Sequence, residues 1–213
     1  MDACYNHAIH GSSGNRLVMN ISRSALAVCL ILMLSSPAFA HGGEGLTAGF
    51  FGGFLHPLSG WDHIAAMVAV GLWGAFLGRP AIWLLPVVFP LVMVFGGILG
   101  IAGVPFPAVE TGIASSAIVL GLMVALAVRP PLWVAAVMVG TFATFHGYAH
   151  GVELPEATSP LAYSAGFVTA TGLLHVLGIA FGALTEWPAG RIAVRACGSV
   201  IALVGVGFLG GWL

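Results

Sequence analysis

The chain has 213 residues, of which 59% are hydrophobic and only 6% charged, and its formal net charge is −1. It contains no lysine, and its basic residues are Arg16, Arg23, Arg79, Arg129, Arg191 and Arg195. That balance excludes a soluble protein with an ordinary polar surface, leaves no basic stripe for nucleic acid, and is the composition of a membrane protein.

Residues 1–40 read as an N-terminal extension and signal peptide. Arg23 precedes the apolar run ALAVCLILML, and PAFA at 37–40 sets small residues at −3 and −1 before His41. A basic n-region, a short apolar h-region and an A-x-A-like site form the secretory pattern. Met19 begins a complete signal by itself, which would make residues 1–18 an extension ahead of the true start. Cleavage after Ala40 removes Cys4 and Cys29 and leaves Cys197. Neither an intramolecular disulfide nor a thiolate metal cluster is then expected. Cleavage also makes His41 the first residue, with a free amine and an imidazole that could chelate a metal together. An uncleaved first helix is the alternative.

The segment 46–56, LTAGFFGGFLH, rises only about 16 Å as a helix, half the hydrocarbon core. It is expected as a half-helix or re-entrant piece packed through Gly49, Gly52 and Gly53, because irregular backbone at membrane depth survives only under protein or water cover. Six apolar segments follow at roughly 61–78, 81–103, 107–128, 131–150, 161–184 and 192–212, each about 18 to 24 residues and long enough to cross as a helix. Proline and glycine punctuate the breaks GRP, GVPFP, RPP, ELPEATSP and EWPAGR. Residues 41–213 are therefore expected to be one all-α domain, a polytopic membrane helix bundle with six transmembrane helices plus the short half-helix. If the mature N-terminus is exported, Arg79, Arg129, Arg191 and Arg195 all fall on the cytoplasmic side, as the positive-inside rule asks. A seventh full span would reverse all four. The expectation is a multi-pass protein of a bacterial inner membrane with a periplasmic mature N-terminus.

This orientation gathers the ionisable groups at the outer face. The first cluster is HPLSGWDH, with His56 before a turn, Ser59 as a candidate helix cap, and the adjacent Asp62 and His63 on the first spanning helix. Met67, one turn beyond His63, is a candidate soft ligand or ordinary packing. Glu110 stands at the outer start of the third helix. The second cluster is FHGYAHGVE, where His146, His150 and Glu153 line one face if the helix persists. Gly147 and Gly151 there form a small-xxx-small pair that admits a close neighbour. Deeper in the bundle, His175 on the fifth helix is either a relay ligand or a histidine bonded to a nearby threonine. Glu186, near Arg191 and Arg195, reads as a rim charge.

Ionisable groups inside a membrane are costly and usually functional. Imidazole nitrogen with a few carboxylate oxygens and no thiolate suits nickel, cobalt or zinc better than magnesium or calcium. One ion shared by His56, Asp62, His63, His146, His150 and Glu153 is the expected site, with His41, Met67, Glu110 and His175 as secondary candidates.

HPLSGWDHIAAMVAVGLWGA resembles the H-P-x-x-G-x-D-H-x-x-x-M-x-x-V-G-x-W signature of the HupE/UreJ proteins, and FHGYAHGVE resembles that family's second motif, F-H-G-x-A-H-G-x-E. The resemblance covers the mature chain and implies a secondary nickel permease, in some members linked to cobalt, serving hydrogenase or urease maturation. It implies transport roles for His56, Asp62, His63 and Glu153, with His146 and His150 beside them.

No glycine-rich nucleotide loop, H-E-x-x-H or G-x-S-x-G is present, so neither an enzyme nor a nucleotide-binding subunit is expected. No tightly bound cofactor is expected either. The partners are the divalent ion, as transported substrate, and the lipid bilayer. Inward movement of a divalent cation gains roughly 4.6 kcal/mol per 100 mV, which alone can sustain accumulation. The rivals are a cobalt or zinc permease, and a non-transporting assembly protein that binds metal, or haem between His63 and His150.

Overall fold

Hydrocarbon offers the backbone no hydrogen-bond partner but itself, so long apolar segments fold as helices. A computed structural model of the chain describes residues 49–154 and 159–213. The expected signal peptide and His41 lie outside the described residues. Among the described residues there are seven α-helices: α1 (Phe50–Ser59), α2 (Trp61–Leu77), α3 (Ala81–Ile101), α4 (Val109–Ala125), α5 (Leu132–Val152), α6 (Pro160–Gly182) and α7 (Pro188–Leu209). A 3-10 turn, Ala183–Glu186, joins the last two.

The hub is α2. Every residue from Ala65 to Gly74 is buried, and the helix packs on α3, α4, α6 and α7. A helix that is apolar all round belongs inside a bundle. The surrounding helices turn apolar faces outward, with Leu91 66%, Trp133 70% and Ile192 73% exposed. A continuous apolar exterior of this kind is a surface for lipid.

Close contacts between helices run over small residues. Gly147 and Gly151 of α5 lie against the backbone of Met93 and Gly97 of α3, where any Cβ would collide. Helices α3 and α5 run in the same direction, as do α2 and α6, with Gly71 against His175 and Gly178 against Val68. By contrast α4 and α7 are antiparallel, with Gly121 against Ala202 and Gly205 against Ile118. Helices α2, α4 and α6 therefore start at one end of the bundle, and α3, α5 and α7 at the other.

The arginines of the described residues collect at a single end. Arg129 stacks 4.5 Å over the Phe76 ring, and Arg195 Nε donates to the Ala125 carbonyl at 2.7 Å. Both contacts surround the C-termini of α2 and α4, beside which Arg79 also follows the α2 cap Gly78.

Three local features differ from the sequence expectation. The half-helix extends to Phe50–Ser59, running through Pro57 and meeting α2 at 86°. Ser59 does not cap α2, because its hydroxyl donates back to the His56 carbonyl at 2.7 Å and extended Gly60 takes the cap position. The segment expected over 107–128 shortens to the 17 residues of α4, because Ala108 (φ 54°) and Ala127 (φ 56°) adopt left-handed backbone at its ends. At about 26 Å this helix is slightly shorter than a typical hydrocarbon core. Among the described residues, four helices are long and apolar enough to cross a bilayer, and the bent pair α1–α2 makes a fifth if taken as one span. Helix α1 docks on α6 as expected of a glycine-packed piece, with Gly53 against the Tyr163 backbone.

Helix α3 carries Pro86 and Pro90 in its interior. Lacking N–H groups, they remove the helical donors of the Ile82 and Pro86 carbonyls.

Replacing Gly147 by valine should force α3 and α5 apart at a cost of about 1–3 kcal/mol, as overpacking does. Thermal unfolding of the detergent-purified protein should show a clearly lowered midpoint. Gly172→Ala, where the added carbon meets nothing, should be neutral or slightly stabilising.

Candidate metal centre

Three helix ends meet at the pole opposite the arginines. The last turn of α1 brings His56, the first turn of α2 brings Asp62 and His63, and the last turns of α5 bring His146 and His150, followed by Glu153 at the cap. The 86° bend at Gly60 lets two histidines seven residues apart approach one point from different directions.

Asp62 lies in the first turn of α2, where the helix dipole favours a carboxylate. Its Oδ1 is 2.8 Å from His63 Nδ1. A carboxylate only accepts, so His63 donates from Nδ1, and the neutral ring then presents a lone pair on Nε2. That Nε2 is 2.8 Å from His150 Nε2, so His150 supplies the proton between them. His150 Nδ1 is then a bare lone pair with no hydrogen-bond partner, 4.0 Å from Glu153 Oε2. The same carboxylate oxygen is 3.6 Å from His56 Nε2. One ring nitrogen from each of His56, His63 and His150 lies within 4.8 Å of the other two. Two lone-pair acceptors facing each other across a gap form an arrangement that a cation relieves.

Helix α6 walls this cluster with aromatic rings. The Phe167 ring centroid is 4.3 Å from that of His150 and 6.0 Å from that of His56, and Tyr163 lies 6.0 Å from His56. A cavity of about 200 Å³ between α3, α5 and α6 reaches His150. Glu153 is the wet member of the group, with its side chain 58% exposed. Partial burial, first of all, pushes its carboxyl above the ordinary range.

His146 sits one turn deeper than His150 and is fully buried. Its Nε2 is 3.0 Å from Ser116 Oγ, and the Ser116 hydroxyl donates to the Ile113 carbonyl at 2.6 Å. The serine oxygen is thus the acceptor, which fixes the proton of His146 on Nε2 and leaves Nδ1 without a partner. The His146 ring lies 5.1 Å from the His63 ring, centroid to centroid.

The two sequence clusters therefore meet in space. His56, His63 and His150 face one another directly, Asp62 orients His63, and Glu153 lies beside His56 and His150. His146 lines the next level down. Glu110 is exposed in the first turn of α4 and stands outside the three-histidine group. Met67 is fully buried in the apolar core, and His175 is buried deeper on α6. Sequence reasoning did not single out Ser116, Tyr163, Phe167 or Phe89. A serine inside the apolar run GIASSAIVLG is the one signal that could have drawn notice to Ser116.

A family model described as HupE / UreJ protein matches residues 28–208. The chain is also 48% identical over 179 residues to Protein HupE of Rhizobium leguminosarum bv. viciae, an alignment that covers 84% of this chain and 94% of that protein. No solved structure matches.

Ser116→Ala should leave the buried His146 Nε2–H without an acceptor, a loss of about 1–3 kcal/mol. A lowered thermal midpoint is expected, and an unchanged midpoint would contradict the serine's accepting role.

Proposed function

Because the chain belongs to the HupE/UreJ family, we propose that it is a secondary permease or facilitator that takes up a divalent transition-metal ion. Nickel is the first choice, for hydrogenase or urease maturation, with cobalt and zinc as alternatives. The observation that carries this reading is the mutual approach of the His56, His63 and His150 ring nitrogens within 4.8 Å. Imidazole donors suit these borderline ions. Two nitrogens each about 2.1 Å from one tetrahedral ion stand about 3.4 Å apart, so the His63–His150 pair need open by only about half an ångström to admit a metal between the Nε2 atoms, the His150 proton moving to its bare Nδ1 beside Glu153. Asp62, bonded to the far side of His63, holds the ring in place and strengthens it as a donor. Glu153, at the wet edge, draws the cation in.

In this reading six helices, α2 to α7, cross the inner membrane of a bacterium and α1 lies as a half-helix beneath the outer surface. The metal cluster faces the periplasm and the arginine end faces the cytoplasm, in keeping with the charge rule. The direct contact of His63 Nε2 with His150 Nε2 at 2.8 Å disfavours the haem alternative, since no porphyrin plane fits between rings that share a proton.

Radioactive nickel uptake by cells expressing the protein, with cobalt and zinc as competitors, tests the proposal. Asp62→Asn keeps the shape and removes the charge, and uptake should fall about 10- to 100-fold with normal membrane insertion. His63→Ala and Glu153→Gln should act likewise, and the double variant should lose less than the sum because both groups serve one ion. Full nickel uptake by Asp62→Asn would sink the reading. For topology, reporter fusions at Arg79 and Arg129 should be active only as cytoplasmic reporters, and activity only as exported reporters would overturn the orientation.

A further inference from the structure

Buried polar atoms in a folded protein almost always have partners, and each exception calls for an explanation. Among the described residues, the buried side-chain nitrogen and oxygen atoms without a hydrogen bond belong to His146, His150, Thr171 and His175. His150 belongs to the outer cluster. The rest lie at successively deeper levels of α5 and α6. Counted from the outer helix ends, His146 is about 9 Å down α5, and Thr171 and His175 are about 16 and 22 Å down α6.

Thr171 and His175 are four apart on one face of α6 and almost fully buried, and neither the Thr171 hydroxyl nor a His175 ring nitrogen makes a hydrogen bond of good geometry. The Pro86 carbonyl of α3, whose helical donor Pro90 removes, lies near enough to act on one His175 ring nitrogen and leaves the other for a ligand. Between the two levels stands Phe89, its ring centroid 5.6 Å from His146 and 5.4 Å from His175. Ser116 occupies Nε2 of His146, so its free lone pair on Nδ1 is the next donor below the outer cluster.

We infer that His175, with Thr171 and the Pro86 carbonyl, forms an inner transfer site for the same divalent cation, reached from the outer cluster by way of His146 and past the Phe89 ring. The inference rests on the transport reading and adds a second station to it. Its donor set is one imidazole with neutral oxygens and no carboxylate, so it holds a divalent ion less tightly than the outer cluster. A pathway needs that order, because the inner station must accept the ion and then release it. The Phe89 ring stands between the two levels, so the ion passes only when that ring yields.

The test compares His175→Leu and His175→Cys with the unmodified protein, measuring nickel binding in detergent and nickel uptake into proteoliposomes. His175→Leu should bind nickel at the outer cluster within about twofold of the parent yet take it up at least about tenfold more slowly. His175→Cys should keep measurable uptake and shift its preference from nickel toward thiophilic cadmium by about fivefold or more, which a packing residue would not do. Parent-rate uptake by His175→Leu overturns the inner site. So does an unchanged metal preference in His175→Cys, or loss of nickel binding together with uptake in both variants. His63→Ala separates the two ideas. If it abolishes binding while His175→Leu is silent, only the inner site falls. If it keeps both binding and uptake, the outer-cluster reading falls and takes the inner site with it.

Discussion

A central helix with no side turned to lipid governs where every polar group in this bundle can go. Helix α2 is buried from Ala65 to Gly74 and is contacted by four other spanning-length neighbours or near-neighbours. That stretch is alanine, valine, leucine, methionine and glycine, with one tryptophan, Trp73, whose indole N–H is already given to the Val128 carbonyl, so it offers imidazole nothing to bond. Polar side chains on the surrounding helices must therefore satisfy one another, sit at the level where α2 begins, or, as Thr171 and His175 do, lack well-formed hydrogen bonds. Asp62, His63 and His150 do so in one connected chain, and His146 finds Ser116. In a medium with no water to compensate, such chains fix ring orientation and tautomer as firmly as packing fixes a core.

The outer cluster is built from helix ends, and the ends differ electrically. Helices α1 and α5 finish there, so their partial negative charges point toward the histidines. Helix α2 starts there and contributes the opposite sign, which would repel a cation. Asp62 stands at that positive end, where it is stabilised by the dipole and neutralises it in turn. In the proposed permease the same side chain thus serves both the local helix and the ion. Glu153, just past the end of α5, adds charge where water still reaches.

Much of the architecture was legible because proline and glycine mark helix ends in this chain. Pro80, Pro131, Pro160 and Pro188 all lie at helix starts, and the meeting of the two histidine motifs followed from placing both at outer ends. The errors have physical sources. The true ends of α4 are set by alanines at positive φ, and alanine carries no signature of left-handed backbone. Ser59 had the chemistry of a cap, but the short helix before it kept its hydroxyl. Cross-helix partners such as Ser116 for His146, or Phe167 against His150, depend on the rotation of helices far apart in sequence. Periodicity within one helix does not contain that rotation, which the backbone contacts at Gly147, Gly151 and Gly121 decide.

The two prolines of α3 have a mechanical consequence. An α-helix resists bending through its ladder of backbone bonds, and sharp bends concentrate where rungs are missing. Pro86 and Pro90 lie on either side of Phe89, so α3 is least stiff at the height from which that ring projects. Above this level, Gly96 and Gly100 clamp the same helix to α5 backbone against backbone. One half of α3 is thus anchored and the other is compliant, and flexing at the junction breaks no backbone hydrogen bond that the prolines have not already removed.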